Sequence, residues 1–503
     1  MKGRRQGKPI IWIVIAVLLA ALLLFCGYWL LRLAFDIDLL DRSGWQTTDT
    51  GTQYLDYYGE PLTGWQEIDG QQFYFTPDGN LAAGWQEIGE NRYYFSAEGT
   101  ALTGWQEIDG SRFYFETSGA AHTGWLTLED KTYYLDGIGK MLLGWQEIDG
   151  GRRYLGEDGI LRTGFFEIGQ ERYYADSEGR QLTGWQETSQ GTIYLDASGT
   201  LRTFWQEIDG NRYYLDPVTG LVRGKTEIGG NVYYFDDQGA LQTGWLEMDG
   251  ARYYLLDDGT MATGWQDLGQ HRYYFGDDGA MRLGWQEIDS ATYYFKENGV
   301  MAIGQITLDD VNHFFTSTGK YVLMVNPWNP VPADYIYDLV PYGEQKVHSS
   351  MQEALTQMLA AGRAAGAPCS ITDSYRSIYV QQYLWDRRKT AYMEEGYDAA
   401  TADMMTGWSV AIPGHSEHQT GLALDFNRSE PETLRWLEKN CWDYGFIVRY
   451  PDGKMDYTGI VYEPWHYRYV GLELAQELKE LGLCMEEYMQ MLTKKEAAKA
   501  PPV

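Results

Sequence analysis

The sequence predicts a multidomain protein: a single N-terminal transmembrane helix, a β-hairpin solenoid of about fourteen 20-residue repeats, and a C-terminal α+β domain. Three observations carry this reading. Ile10 to Leu31 form a run of 22 residues without a charge, standing alone near the N-terminus. Trp then recurs at a fixed spacing of 20, from Trp45 to Trp285. After Gly319 the period stops, and the text becomes mixed helix and strand. The corresponding ranges are 1–35 for a basic tip and anchor, 43–320 for the repeats, 321–495 for the C-terminal domain and 496–503 for a flexible tail.

Composition bounds the function before any motif is read. At 503 residues the chain is too long for one ordinary core, and a formal net charge of -31 argues against a nucleic-acid or other polyanion partner. The charge is also unevenly placed, since residues 51–300 hold 17 basic against 40 acidic side chains. With 44% hydrophobic residues the chain is neither disordered nor an integral membrane bundle.

A helix over Ile10–Leu31 spans roughly 33 Å, enough for a bilayer core of about 30 Å. Lys2, Arg4, Arg5 and Lys8 precede it, while Asp36, Asp38 and Asp41 follow. This asymmetry predicts a cytoplasmic N-terminus and a single-pass protein whose C-terminal part is extracellular. A cleaved signal peptide has a shorter apolar stretch that ends in a small-x-small site, and none follows here. Cys26 comes after the bulky Phe25, which disfavours lipidation and leaves a free membrane thiol.

In the repeats, Trp stands at 45, 65, 85, 105, 125, 145, 185, 205, 245, 265 and 285, with Phe165, Lys225 and Gln305 filling the gaps. A second aromatic keeps the same phase from Tyr54 to Tyr294, and a Gly follows five residues later, except at Thr219, where it has slipped to Gly220. One unit, such as residues 84–99, holds two short strand-like runs joined by polar turn residues, the pattern of a β-hairpin. A lone hairpin cannot bury its aromatics. Stacking on the next unit solves this and predicts aromatic packing across each repeat boundary.

These units resemble the choline-binding and cell-wall-binding repeats of Gram-positive surface proteins over residues 43 to about 320. The resemblance implies ligand binding between successive hairpins. Choline cages in such repeats draw on a Trp directly before the Tyr-Tyr pair. This chain has Arg92, Arg112, Thr132, Arg172, Thr192, Arg212, Val232, Arg252, Arg272 and Thr292 there. A guanidinium at that place repels choline, so a wall glycan or another surface carbohydrate is the expected partner. A spacer whose aromatics serve only as hairpin core has the same sequence.

In the C-terminal domain, helical spacing covers Met351–Gly366, Pro431–Lys439 and Leu472–Leu481, with strand-like runs at Cys369–Thr372, Gly421–Phe426 and Phe446–Tyr450. Four of the seven His fall here. His418 and Asp425 are seven apart, Gly421 permits a sharp entry into a strand, and Glu463 stands three residues before His466. Two imidazoles and one carboxylate make a three-ligand Zn2+ set with an open fourth position, as in catalytic sites. Glu463 is then the nearby carboxylate that accepts a proton.

This constellation resembles the VanY-type D,D-carboxypeptidases, zinc peptidases that share a fold with the hedgehog-type domain and trim peptidoglycan stem peptides. The motifs are Val325-Asn-Pro-Trp-Asn-Pro, Asp373-Ser-Tyr-Arg-Ser377, Ser416 to Asp425, Tyr444 to Pro451 and Thr458 to Tyr469. The resemblance implies His418, Asp425 and His466 as zinc ligands and Glu463 as catalytic base. It also implies Arg376 for holding substrate and steadying the oxyanion, with Gln381 and Ser416 lining the pocket for the terminal D-residue. Ile460 departs from the aromatic often found in the pocket wall. L,D-carboxypeptidase or endopeptidase action on the same site, or wall adhesion without catalysis, remain alternatives. His415 reads as a loop neighbour, His348 as surface, and Glu417 and Asp373 as solvated or supporting groups. Of Cys369, Cys441 and Cys484, one of three pairs is free to form a disulfide, with one thiol left over.

Overall fold

The structure, a computed structural model, describes residues 10–35, 42–499 and 501. The flanking charges Lys2, Arg4, Arg5, Lys8, Asp36, Asp38 and Asp41, and tail residues 500, 502 and 503, lie outside the described residues. The chain divides into two compact units, residues 1–222 and 223–503.

The first unit holds the apolar helix Ile10–Phe35 and, among the described residues, nine hairpins from Gly44–Thr48 to Asn211–Asp216. In a representative hairpin, Gly84–Ile88 pairs antiparallel with Asn91–Phe95 and sets Trp85 opposite Tyr94. Where the turn is Asp-Gly, as at Asp69 (φ 52°) and Gly70 (φ 77°), both residues are left-handed. That geometry matches the twist of the strands it joins. The Trp85 ring then meets Phe113 of the following hairpin edge-on, with centroids 4.8 Å apart. Trp45, Trp65, Trp105, Trp145 and Trp185 repeat that contact with Phe73, Tyr93, Tyr133, Tyr173 and Tyr213. Such ring pairs add about 0.5–1.5 kcal/mol beyond area burial. Main-chain bonds reinforce them, as from Ala101 N to Gln72 O at 3.0 Å. Aromatics therefore cross the repeat boundaries as expected. One hairpin departs from the pattern: Phe204 replaces the opening Gly and holds φ at 61°, a strain of order 1–3 kcal/mol for a side-chain-bearing residue.

The second unit holds five more hairpins, ending at Val311–Phe315, and then the α+β domain. Its sheet has the strand order Ile371–Asp373, Ala423–Phe426, Glu463–Tyr469, Phe446–Tyr450. All the pairings are antiparallel. Helices Gln352–Ala364 and Pro431–Asn440 lay Leu355, Met358 and Leu437 on one face of that sheet, against Leu424, Phe426, Val448 and Tyr467. A second core joins Phe314 of the last hairpin to Ile447 and to Leu474, Leu478, Met485, Tyr488 and Leu492 of the two final helices. Gln305 N also donates to Thr493 Oγ1 at 2.8 Å. Residues on both sides of 320/321 thus contribute to that core. The last helix, Met485–Ala497, runs past 495, and Lys499 pairs with Glu496 beyond it, so the expected tail begins within ordered structure.

Candidate active site

The sheet register assembles the site. Asp425 is the cross-strand partner of His466 on one side and of Asp373 on the other, and directly opposed residues project on the same face. In a regular strand Glu463 and His466, three apart, would face opposite ways. A register shift between Val448 and Tyr450 breaks that alternation, and both side chains reach the same cavity. His418 arrives from the short helix Glu417–Thr420, which ends on Gly421 at φ 76° before the strand begins. A Cβ at Gly421 would collide with the Leu339 side chain and come within 3.1 Å of His348 N. Gly421→Ala is therefore expected to cost about 1–3 kcal/mol and to displace His418. A thermal midpoint equal to the parent's would refute this.

His418 Nε2 lies 3.4 Å, and His466 Nδ1 3.0 Å, from Asp425 Oδ1, and one donor atom from each residue lies within 4.8 Å of the others. His418 Nδ1 is 2.6 Å from Ser374 O. A carbonyl only accepts, so Nδ1 carries the proton and the Nε2 lone pair is left for a metal. Two buried imidazoles and a partly buried carboxylate, converging on one cavity, fit a divalent zinc-type ion. Burial, reinforced by Asp425, raises the Glu463 carboxyl to about 7 against the pull of His466, Arg428 and Arg376. Against the upward push of burial, His418 and His466 hold Asp425 well below the usual carboxylate range.

A cavity of about 600 Å³ opens onto this cluster, lined among others by Arg376, Ser416, Ile460, Glu463 and Trp465. Arg376 donates twice to Asp373 Oδ2, at 2.8 and 3.1 Å, and stands 3.6 Å from Asp425 Oδ2. Gln381, expected at the pocket for the terminal D-residue, sits directly under the cavity wall. It is fully buried beneath Arg376, on the same face of the helix Ile378–Glu394 as the cavity-lining Leu384 and Arg388. Its amide accepts from Arg376 Nη1 at 2.8 Å and donates to Ala411 O at 2.6 Å. His415 bonds the Asn326 carbonyl, as befits a loop neighbour. His348 is half-buried and caps the short helix Ser349–Met351 through Ser350, so it is more than a surface residue. Glu417 is buried and ion-paired, not solvated. The three cysteines carry no disulfide, and burial pushes the Cys369 thiol up to about 11 and that of Cys484 to about 12.

Sequence reading missed Arg428, whose guanidinium lies 3.5 Å over the Trp465 ring at the cavity wall. It also missed Arg387 and Arg388. With Leu384 and Ala391 these form an i, i+3, i+4, i+7 stripe facing the cavity, a spacing that the sequence did display.

Residues 344–472 match the family model described as D-alanyl-D-alanine carboxypeptidase, VanY. The bifunctional D-Ala-D-Ala dipeptidase and carboxypeptidase VanXYC of Enterococcus gallinarum is 34% identical over 169 residues, 31% of this chain and 84% of that protein. The chain belongs to the VanY-type D-alanyl-D-alanine carboxypeptidase family. A D-alanyl-D-alanine carboxypeptidase of Enterococcus faecalis is 38% identical over 174 residues, 33% of this chain. This VanY-type chain spans 65% of the length of that relative and 64% of the putative carboxypeptidase YodJ of Bacillus subtilis. A solved Zn(II) complex of a variant of the vancomycin-resistance D,D-pentapeptidase VanY is 39% identical, covering 33% of this chain and 97% of that one, with TM-score 0.32. Residues 62–99, 82–122, 102–143, 222–263 and 282–326 match a choline-binding repeat, and 205–217 and 263–281 a putative cell wall binding repeat. Choline binding protein F of Streptococcus pneumoniae, solved with a peptidoglycan analogue, is 26% identical over 56% of this chain and 98% of its own, with TM-score 0.28.

Proposed function

We propose that this chain is a zinc D,D-carboxypeptidase that removes the terminal D-alanine from peptidoglycan stem peptides, held at the cell surface by wall-binding repeats and by the helix Ile10–Phe35. The observation that carries this is the convergence of His418 Nε2, Asp425 Oδ1 and His466 Nδ1 beside Glu463 and Arg376 in one cavity. Zinc held there by His418, Asp425 and His466 supplies Lewis-acid polarisation of the scissile carbonyl. Glu463 takes a proton from the attacking water and returns it to the leaving amine, so it serves as base and then acid. Arg376, fixed by Asp373 and Gln381, meets negative charge on substrate or transition state. Ser416 lines the pocket for the terminal residue.

The repeats are proposed to bind wall sugars, not choline. Arg92, Arg112, Arg152, Arg212, Arg252 and Arg272 each place the guanidinium over the Trp of their own hairpin, from 3.9 Å at Arg92 to 5.1 Å at Arg272. The face that would take a quaternary ammonium is filled by the protein's own cation. Retention of the chain on purified walls is expected to survive excess free choline; choline-induced release would sink this part. The apolar helix is proposed as an uncleaved span, and the mature N-terminal sequence tests it.

Mass spectrometry of muropeptides after incubation with the purified chain tests activity and assigns the bond together. Loss of one alanine from pentapeptide stems is expected. Loss of alanine from tetrapeptides alone, or breakage of cross-links alone, would replace the D,D assignment with one of the alternative cuts.

A further inference from the structure

His466 presents two ring nitrogens, and the donor set uses only one. Nδ1 faces Asp425 at 3.0 Å. Nε2 is buried and has no hydrogen-bond partner among the described residues. The acidic oxygen nearest it is Glu417 Oε2, at 3.7 Å, which is likewise buried and without a hydrogen-bond partner. One atom needs an acceptor and the other a donor.

Glu417 is only 1% exposed and does not line the cavity. Burying a carboxylate costs several kcal/mol unless it is matched by cations, and here two arginines match it. Arg449 Nε donates to Oε1 at 2.8 Å, and Arg468 Nη1 stands 3.1 Å from the same oxygen. Arg449 is itself fully buried and is clamped from its far side by Glu486 of the last helix, through contacts of 2.6 and 3.0 Å. Arg468 is tied to Leu323 O at 2.8 Å. These contacts hold Oε1 between two guanidinium groups and leave Oε2 on the imidazole side, 3.7 Å from Nε2. A neutral histidine that ligates through one nitrogen needs an acceptor for the proton on the other, and that acceptor sets ring orientation and ligand basicity.

We infer that Glu417 is a positioning residue for His466, accepting its Nε2 proton so that the Nδ1 lone pair is presented to the metal, with Arg449, Arg468 and Glu486 as the frame that holds it. The network reaches from the metal donors to the final helix, outside the matched family span of 344–472. The inference rests on the zinc reading above, and its test does not depend on turnover.

The experiment uses the full chain in detergent, stripped of metal and titrated with Co2+, whose visible absorption reports ligand geometry; zinc affinity follows from competition with a chromophoric chelator. Glu417→Leu removes the acceptor, while Glu417→Gln keeps an acceptor oxygen and loses the charge. The leucine variant is expected to bind metal about 10–100-fold more weakly, with an altered Co2+ spectrum. The glutamine variant should fall between it and the parent. A role confined to folding would lower the melting temperature yet leave spectrum and affinity alone. Parental affinity and spectrum in a folded leucine variant overturn the inference. If that variant does not fold, parental values in the glutamine variant do the same. A parent chain that takes up no Co2+ overturns the zinc reading and this one with it, whereas parental uptake with unmoved variants overturns this one alone.

Discussion

Glu463→Gln is expected to keep the fold and the metal while kcat for release of terminal D-alanine falls by roughly 10²–10⁴, the range for loss of a general acid–base group. Glu463 opens the strand Glu463–Tyr469, is 8% exposed, and stands 3.9 Å from His466 Nδ1. The amide matches the carboxylate in size, so packing against the cavity wall is kept. What it lacks is a site that can take a proton near neutral pH, which burial gives this carboxyl by raising it to about 7. Stability should hold or rise slightly, because a neutral group replaces one whose charged form is disfavoured where it sits. KM should change little, since Arg376 and Ser416 are untouched. Turnover at the parent's rate by a folded, zinc-loaded variant would remove Glu463 from the mechanism.

The parts of this protein that were legible in sequence are those whose periodicity one local interaction fixes. The 20-residue period, kept by eleven Trp and bridged at Phe165, Lys225 and Gln305, marked the hairpins because most of these Trp meet an aromatic of the next unit, as Trp85 meets Phe113. The helices Pro431–Asn440 and Leu472–Leu481 were readable since each buries a single face, as Thr433 and Leu437, or Leu474 and Leu478, show. The helix Ile378–Glu394 was not. Gln381 is its only buried residue, while Ile378, Tyr379, Val380 and Tyr383 are exposed, so no apolar stripe existed to be found. The strand Glu463–Tyr469 was hidden by its Pro and by the register shift near Tyr450. In the site, the order of His418, Asp425, Glu463 and His466 suggested a donor set. It could not show that the polar run 416–420 is buried throughout, because burial there depends on Arg449 and Arg468 arriving from other strands. Likewise, the sequence does not display that Gln381 holds Arg376 and the Ala411 carbonyl together, since those contacts join segments distant in the chain.

Removal of the metal is expected to abolish activity, to be reversed by zinc, and to leave the domain folded though less stable. The expectation follows from how the donors are held. Asp425 and His466 are register partners in a sheet whose other face packs Leu424, Phe426, Val448 and Tyr467 into the apolar core. His418 is fixed by its bond to Ser374 O and by the left-handed turn at Gly421. None of these contacts needs an ion, so the domain should not behave like a small zinc module that unfolds on chelation. The ion nevertheless binds only the folded state. At a free concentration one hundred times its Kd it adds about 2.7 kcal/mol, which for a domain of this size corresponds to roughly 5–10 °C in thermal midpoint. Part of that gain reflects relief of repulsion, because Asp425 and Glu463 both approach His466 in the same cavity. Thermal melts with chelator, with zinc restored, and on His418→Ala separate the two outcomes. The alanine variant should lose both the activity and the zinc-dependent rise, while keeping a cooperative transition near that of the stripped parent. Full activity after exhaustive chelation would end the metal reading of the site.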